Sequence, residues 1–282
     1  MYLLLIPSIL AVVLQNCLYN SVCKKDLHTS EKINAFNALS YLVCIIAFGV
    51  VTVTQGISLF TFAFGLLFGI VTALSVSFKM SALGIGPMHI TLLIVTSSMI
   101  IPTLSGVLFG ESVSIYKILC VVVLLFFIYL SLDKVGNIKA SGKWFLLCML
   151  SFVLSGSIGV LQKVHQSTVY KGETGGFLFS AFLCSVFLSV FFGKKELVPT
   201  LKSVRLSLIS AVCGLFTFTM HFINLKLSGI LNPQIFFPVV NSVPMILSTF
   251  CSVFLFKEHL SFKQIIGLIG SIGCLIAICL VP

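Results

Sequence analysis

The side chains in this sequence best suited to chemistry are few and lie scattered through apolar segments. His89 and His221 are the titratable groups nearest the interiors of those segments, and histidine changes charge near neutral pH. Lys79 and Lys226 can attract an anion, while Asn16, Asn20, Ser97, Asn224, Gln234 and Asn241 offer hydrogen bonds. Asn16 and Asn20, and likewise Gln234 and Asn241, are four and seven residues apart and so share a helix face. Any one of these groups can serve as glue between helices, worth roughly 0.6 kcal/mol. As a set they read more economically as the wall of a polar, substrate-binding cavity. The chemistry they support is the binding of a small solute. No HExxH, Walker A or GxSxG motif occurs, and no Cys/His spacing suits a metal. No catalytic residue, metal ligand or cofactor is therefore expected, and no enzyme. No Asp or Glu lies at the centre of an apolar segment, which argues against a carboxylate proton relay.

The elements that must position these groups follow from composition. Of 282 residues only 17 are Lys or Arg and 7 are Asp or Glu, 59% are apolar, and the mean hydropathy is +1.19. A soluble domain is about one-quarter charged, so a soluble enzyme, a nucleic-acid reader and a disordered tail are excluded. A helix needs about 20 apolar residues to cross a bilayer. Runs free of Asp, Glu, Lys and Arg cover Tyr2–Cys23, Ile33–Phe78, Met80–Gly110, Ile118–Leu132, Trp144–Gln162, Thr174–Gly193, Leu206–Leu225, Leu227–Phe256 and Gln264–Pro282. The second, 46 residues long, breaks at Thr54-Gln55-Gly56 into two spans. Lys117 can snorkel, which lets the fifth helix begin near Val113. Continuous runs, without alternation, exclude a barrel. The expected fold is an all-α integral membrane protein of ten transmembrane helices. Tyr2–Cys23 lacks a basic n-region and a cleavage site and reads as the first span, not a signal peptide. The 10 cysteines, with no C-x-x-C pair, read as small apolar core residues. Trp144, at the start of the sixth helix, is expected to anchor at the interface.

The chain also repeats itself. At an offset of 147, Lys79, Ser81, Ser105, Leu108, Phe109, Glu111, Ser114 and Ile118 fall on Lys226, Ser228, Ser252, Leu255, Phe256, Glu258, Ser261 and Ile265, 8 identities in 40 positions. Each Lys then closes the third helix of a set of five, and each Glu sits between the fourth and fifth. At an offset of 139, Lys24 ending the first helix meets Lys163 ending the sixth. Two five-helix repeats are expected, 1–135 and 136–282. Five is odd, so the second enters the membrane inverted relative to the first. Inverted repeats hold their binding site near the midplane, between halves that can exchange conformations.

The segment Pro244-x13-Glu258-His-Leu-Ser-x-x-Gln264-x-x-Gly267-x-x-Gly270-x-x-Gly273, echoed by Glu111-Ser-Val-Ser-x-x-Lys117-x-x-Cys120, resembles the ten-helix EamA branch of the drug/metabolite transporter superfamily. Lys24 and Lys163 are similar to the basic residues that close helices 1 and 6 there. The resemblance implies a multi-pass secondary transporter of the plasma or inner membrane, working by alternating access with both termini cytoplasmic. Gly267, Gly270 and Gly273 are expected to let a neighbouring helix approach closely. Glu111 and Glu258 are expected in the first turns of helices, where the dipole favours a carboxylate. Pro102, Pro238 and Pro244 fall inside long runs, where proline removes backbone bonds and kinks a helix. Irregular backbone at membrane depth is tolerated against protein or a water-filled cavity. Helices 3, 4, 8 and 9 are therefore expected to rim the cavity, helped by 1 and 6.

The net charge of +10 is a topology signal here. Loops after odd-numbered helices carry 13 Lys or Arg, and those after even-numbered helices 4. The positive-inside rule then places both termini outside, opposite to what the resemblance implies. The expected function is export of a small metabolite or amphipathic compound, by facilitated diffusion, by exchange against a counter-substrate or by coupling to a proton. The expected partners are that solute and the lipid bilayer, with no nucleic acid, the chain acting as a monomer or homodimer. Two rivals use the same residues: a flippase for a lipid-linked intermediate, and a non-transporting membrane sensor or scaffold.

Overall fold

The computed structural model describes residues 2–105, 115–131, 142–231 and 233–280. Regular structure among them is entirely helical: α1 (Leu5–Lys25), α2 (Ser30–Gln55), α3 (Leu59–Ile85), α4 (Met88–Leu104), α5 (Ile115–Ser131), α6 (Gly142–Ser167), α7 (Thr174–Lys202), α8 (Val204–Ser228), α9 (Pro233–Phe254) and α10 (Phe262–Leu280). Six of these, α1, α2, α3, α6, α7 and α8, are long and apolar enough to cross a membrane; the other four are shorter apolar helices. The boundary expected at 135/136, and the residues Glu111, Val113 and Ser114, lie outside the described residues.

Local chemistry sets the helix ends. α2 stops at Gln55, and Gly56 turns the chain with φ 78°, a region open to glycine at no steric cost. The hydroxyls of Thr29, Ser58 and Ser203 accept from the backbone N–H of Lys32, Thr61 and Leu206, capping α2, α3 and α8. Two expected ends move. α3 runs through Lys79 to Ile85, and α6 runs through Lys163 to Ser167. A lysine that finds room inside the bundle does not interrupt backbone hydrogen bonding, so neither residue closes its helix. α4 gives way to a 3-10 turn at Ser97–Met99, just ahead of Pro102, where the ring and missing N–H of proline disturb the preceding turn. α9, by contrast, stays helical across Pro238 and Pro244.

Polarity is inverted relative to a water-soluble protein. Leu3, Val50, Val53, Phe187, Val204 and Phe254 stand exposed, whereas Gln15, Asn16, Asn37, Ser40 and Thr72 are buried. Such an exterior suits hydrocarbon, where backbone groups must be satisfied within each helix.

α7 packs along α2 and α3, α8 along α2 and α1, α6 along α3 and α4, and α9 along α1, α4 and α10, while α5 lies on α10. Tyr41, Phe48, Phe68, Phe177 and Phe182 fill the junction of α2, α3 and α7. Hydroxyls cross two matching interfaces: Ser40 donates to the Ser210 carbonyl and Ser185 to the Gly69 carbonyl, each at 2.9 Å. Glycine makes these approaches tight, since a Cβ at Gly69 or Gly214 would run into the Ala181 or Ser40 carbonyl. On α10, a Cβ at Gly267 would press on Phe127 and Ser131 of α5, and one at Gly270 on the Phe127 ring. A Cβ at Gly273 would meet nothing within 4 Å among the described residues, so its expected packing role finds no neighbour there. Trp144 is no interfacial anchor either. It is 2% exposed, and its Nε1 donates to Thr91 Oγ1 at 3.0 Å, fastening α6 to α4.

Candidate functional site

A cavity of about 180 Å³ lies where α1, α3, α4, α6, α8 and α9 meet. Helical periodicity builds its wall. α3 presents Thr72, Ser75 and Lys79; α6 presents Ser155, Gly159 and Gln162; α8 presents His221 and Asn224. These spacings of three, four and seven put each set on one face of its helix. α1 adds Gln15 and Asn16, α4 adds Thr96, Ser98 and Pro102, and α9 adds Asn241 and Pro244.

The polar wall is knit across helices. Gln15 Nε2 donates to Thr217 Oγ1 at 2.6 Å and to the Cys213 carbonyl at 3.0 Å, joining α1 to α8. Ser8 Oγ donates to Asn224 Oδ1 at 2.7 Å on the same pair of helices. Ser75 and Ser155 share a hydroxyl bond of 2.7 Å between α3 and α6. Lys79 Nζ reaches Asn16 Oδ1 at 3.4 Å and stands 5.3 Å from the Tyr19 ring centroid. Asn16 Nδ2 in turn donates to Ser248 Oγ at 3.3 Å. The His221 ring makes edge contacts with Phe68 and Phe182. Tyr19, Val22, Met80, Leu83, Met88 and Leu92 form an apolar plug between the cavity and the face that carries the α1–α2 and α3–α4 loops.

Of the residues expected to bind substrate, Asn16, Lys79, His221, Asn224 and Asn241 line this cavity, together with the proline positions Pro102 and Pro244. Four do not. Asn20 is wholly buried away from it, and Ser97 returns its hydroxyl to the Leu93 carbonyl at 2.7 Å. Lys226 is exposed, its Nζ 4.3 Å from the Phe222 ring centroid. His89 is engaged in a different structure, described next. The side chains of Gln234 and Pro238 lie outside the described ones. Thr72, Ser75, Ser155 and Gln162 went unrecognised in the sequence, although the run Thr72-x-x-Ser75-x-x-x-Lys79 leads along one face to a lysine.

Glu258 lies in the α9–α10 connection, at the face closed by the apolar plug. Its carboxylate accepts from the backbone N–H of Met88 at 2.9 Å and of His89 at 3.3 Å, so it caps α4 and not the helix that follows it in sequence. His89 Nδ1 lies 2.7 Å and Lys24 Nζ 2.9 Å from its oxygens. Burial alone would raise this carboxyl, but the bonds from His89, Met88 and Lys24 prevail and hold it at about 2. Two smaller braces lie elsewhere. Arg205, at the start of α8, sits 3.6 Å from Asp26 in the α1–α2 loop. Ser58, the cap of α3, donates to Glu173 in the α6–α7 loop through its backbone N–H at 2.9 Å and its hydroxyl at 2.7 Å.

No family model matches the sequence, and no curated protein matches it. The fold itself recurs among solved structures. One, titled only "Crystal structure of protein", superposes with a TM-score of 0.67 at 14% identity, over 98% of this chain and 94% of that one. At that identity the likeness is one of fold alone.

Proposed function

We propose that this chain is an EamA-like secondary transporter of the drug/metabolite transporter superfamily, carrying a small polar solute out through the plasma or inner membrane by alternating access. The observation that carries the proposal is the central polar cavity, to which α1, α3 and α4 on one side and α6, α8 and α9 on the other contribute. In this reading all ten helices cross the membrane, as two inverted repeats over 1–135 and 136–282.

The packing supports the repeat. Replacing each helix n by n+5 turns α3·α7 into α8·α2, α3·α6 into α8·α1, and α1·α9 into α6·α4, and all of these pairs are in contact. The donor serines of the two hydroxyl crossings, Ser40 and Ser185, correspond at an offset of 145, and their acceptors, Gly69 and Ser210, at 141, one helical turn away. So do the acidic braces, since the first loop of each half ties down the start of the third helix of the other. A pseudo-two-fold axis in the membrane plane gives two such halves equivalent ways to close on a midplane site. Lys79 and Lys163 lie inside the bundle, which withdraws one cation from each side of the loop count and leaves its imbalance standing.

The test is counterflow in proteoliposomes loaded with a panel of unlabelled metabolites. Loading with the right solute should accelerate entry of its labelled form at least tenfold over protein-free vesicles. No acceleration with any member, for protein that is folded by melting, would defeat the reading. One observation favours the flippase alternative. A second cavity of about 470 Å³ runs beside α2, α3, α6 and α7, with Asn34, Ser77 and Ser189 next to Phe78, Leu188 and Phe192. Scrambling of a fluorescent lipid, without solute counterflow, would favour that alternative.

A further inference from the structure

The charge inside the central cavity is unbalanced. Among the described residues, Lys79 is the one Lys or Arg that lines it, and no Asp or Glu does. The nearest partners of its ammonium, Asn16 Oδ1 and the Tyr19 ring, are neutral. Among the described residues, four carboxylates are occupied elsewhere, Asp26 by Arg205, Glu31 by Lys195, Glu173 by Ser58, and Glu258 by Lys24 and His89, and the fifth, Glu196 near the end of α7, does not line the cavity. The two acidic residues outside the described set, Glu111 and Asp133, fall between spans in the sequence. An ammonium drawn into a low-dielectric interior costs several kcal/mol unless an opposite charge repays it. Asparagine and an aromatic face return only part of that. On the same face of α3, Thr72 is 1% exposed and its hydroxyl has no hydrogen-bond partner among the described residues, although buried hydroxyls are normally satisfied. A cation and an unused hydroxyl donor on one helix face complement an oxyanion. Neither a neutral nor a cationic solute supplies what Lys79 lacks.

We infer that the solute is a small oxyanion, a carboxylate or a phosphate ester, bound with its charged end between Lys79 and Thr72 and its remainder toward Gln162 and Asn224. This rests on the reading of the cavity as the transport site. The size agrees: cavities of roughly 150 Å³ hold a molecule the size of benzene, and this one measures about 180 Å³.

The experiment compares lactate, methyl phosphate, lactamide and 1-amino-2-propanol as ligands of the purified full chain, read by thermal stabilisation in detergent. Lactate or methyl phosphate should raise the melting temperature at concentrations at least tenfold below those at which lactamide acts. The amine should not act at all. Whichever of the two anions binds tighter identifies carboxylate or phosphate. Lys79→Gln should abolish the anion effect and Lys79→Arg keep it within a few-fold. Because it removes a half-buried charge that no carboxylate balances, Lys79→Gln should also raise the melting temperature of the ligand-free protein, by about 2–4 °C; a merely structural lysine would lower it. Equal stabilisation by lactate and lactamide in the wild-type protein would overturn the inference, whether or not the variants fold. So would silence from all four probes, or undiminished anion binding by Lys79→Gln. Failure of the transport reading looks different. Anion binding without labelled-anion counterflow would keep the oxyanion site and defeat transport, whereas counterflow of lactamide as fast as lactate would keep transport and defeat the oxyanion.

Discussion

Two half-buried charges in this protein are treated in opposite ways. At the Glu258 junction one carboxylate, carried by the α9–α10 connection, is met by two backbone N–H groups and a histidine from α4 and a lysine from α1. At the centre Lys79 meets an amide oxygen and an aromatic face. Both groups are partly withdrawn from solvent, and only the first recovers that cost within the chain. The contrast separates polar groups that hold the fold from those that, in the proposed reading, wait for a solute.

The strongest way to break that comparison is to remove Glu258. Glu258→Ala leaves His89 and Lys24 facing one another without their shared partner and should cost about 3 kcal/mol of stability, read as loss of folded protein in a denaturation series in detergent. Acid gives the same test without mutation. The Glu258 carboxyl sits at about 2 against an ordinary 4.5. Its contribution is therefore complete above about pH 4.5 and lost as pH falls through the folded value. Glu258→Gln should flatten stability over that interval; an unchanged acid profile would show that the junction does not hold α4.

Smaller effects sharpen the contrast within the cavity wall. Gln15→Leu severs two satisfied bonds to α8 and should cost about 1–2 kcal/mol. Thr72→Val removes a hydroxyl that has no partner and should leave stability level or raise it by up to about 1 kcal/mol, while weakening anion binding. If the two substitutions cost the same, the division between holding groups and waiting groups is wrong. Least of all, Lys226→Gln should change stability by no more than about 0.5 kcal/mol in the same denaturation series, because that lysine lies on the exposed face of α8.

Lys79 and Lys226 show where the sequence stops being legible. They are matched by the 147-residue offset, yet one faces the cavity and the other does not. The cavity-facing counterpart of Lys79 is Asn224, at an offset of 145. A slip of two residues turns a side chain by about 200° around a helix, so an alignment that counts helices correctly can still point a residue the wrong way. His89 failed for a related reason. Its partner, Glu258, is 169 residues away, and spacing along the chain carries no trace of so distant a contact. Thr72 and Ser75 were readable from their helical spacing to Lys79, but hydroxyls in membrane helices usually bond their own backbone, as Ser97 does with the Leu93 carbonyl.

What the amino-acid sequence determined by itself is everything that depends on stretches of about 20 residues: an all-helical chain suited to a bilayer, the break at Gly56, and the helices that supply polar groups. Those properties are local, set by the transfer of side chains and the hydrogen bonding of one segment at a time. The tertiary structure decided which way each helix face turns and which distant groups meet. It turned Lys79 inward and Lys226 outward, carried Glu258 to the start of α4, and buried Trp144 against Thr91. Rotation and pairing are settled only when helices far apart in the chain compete to cover one another's polar groups, and that competition takes place in three dimensions.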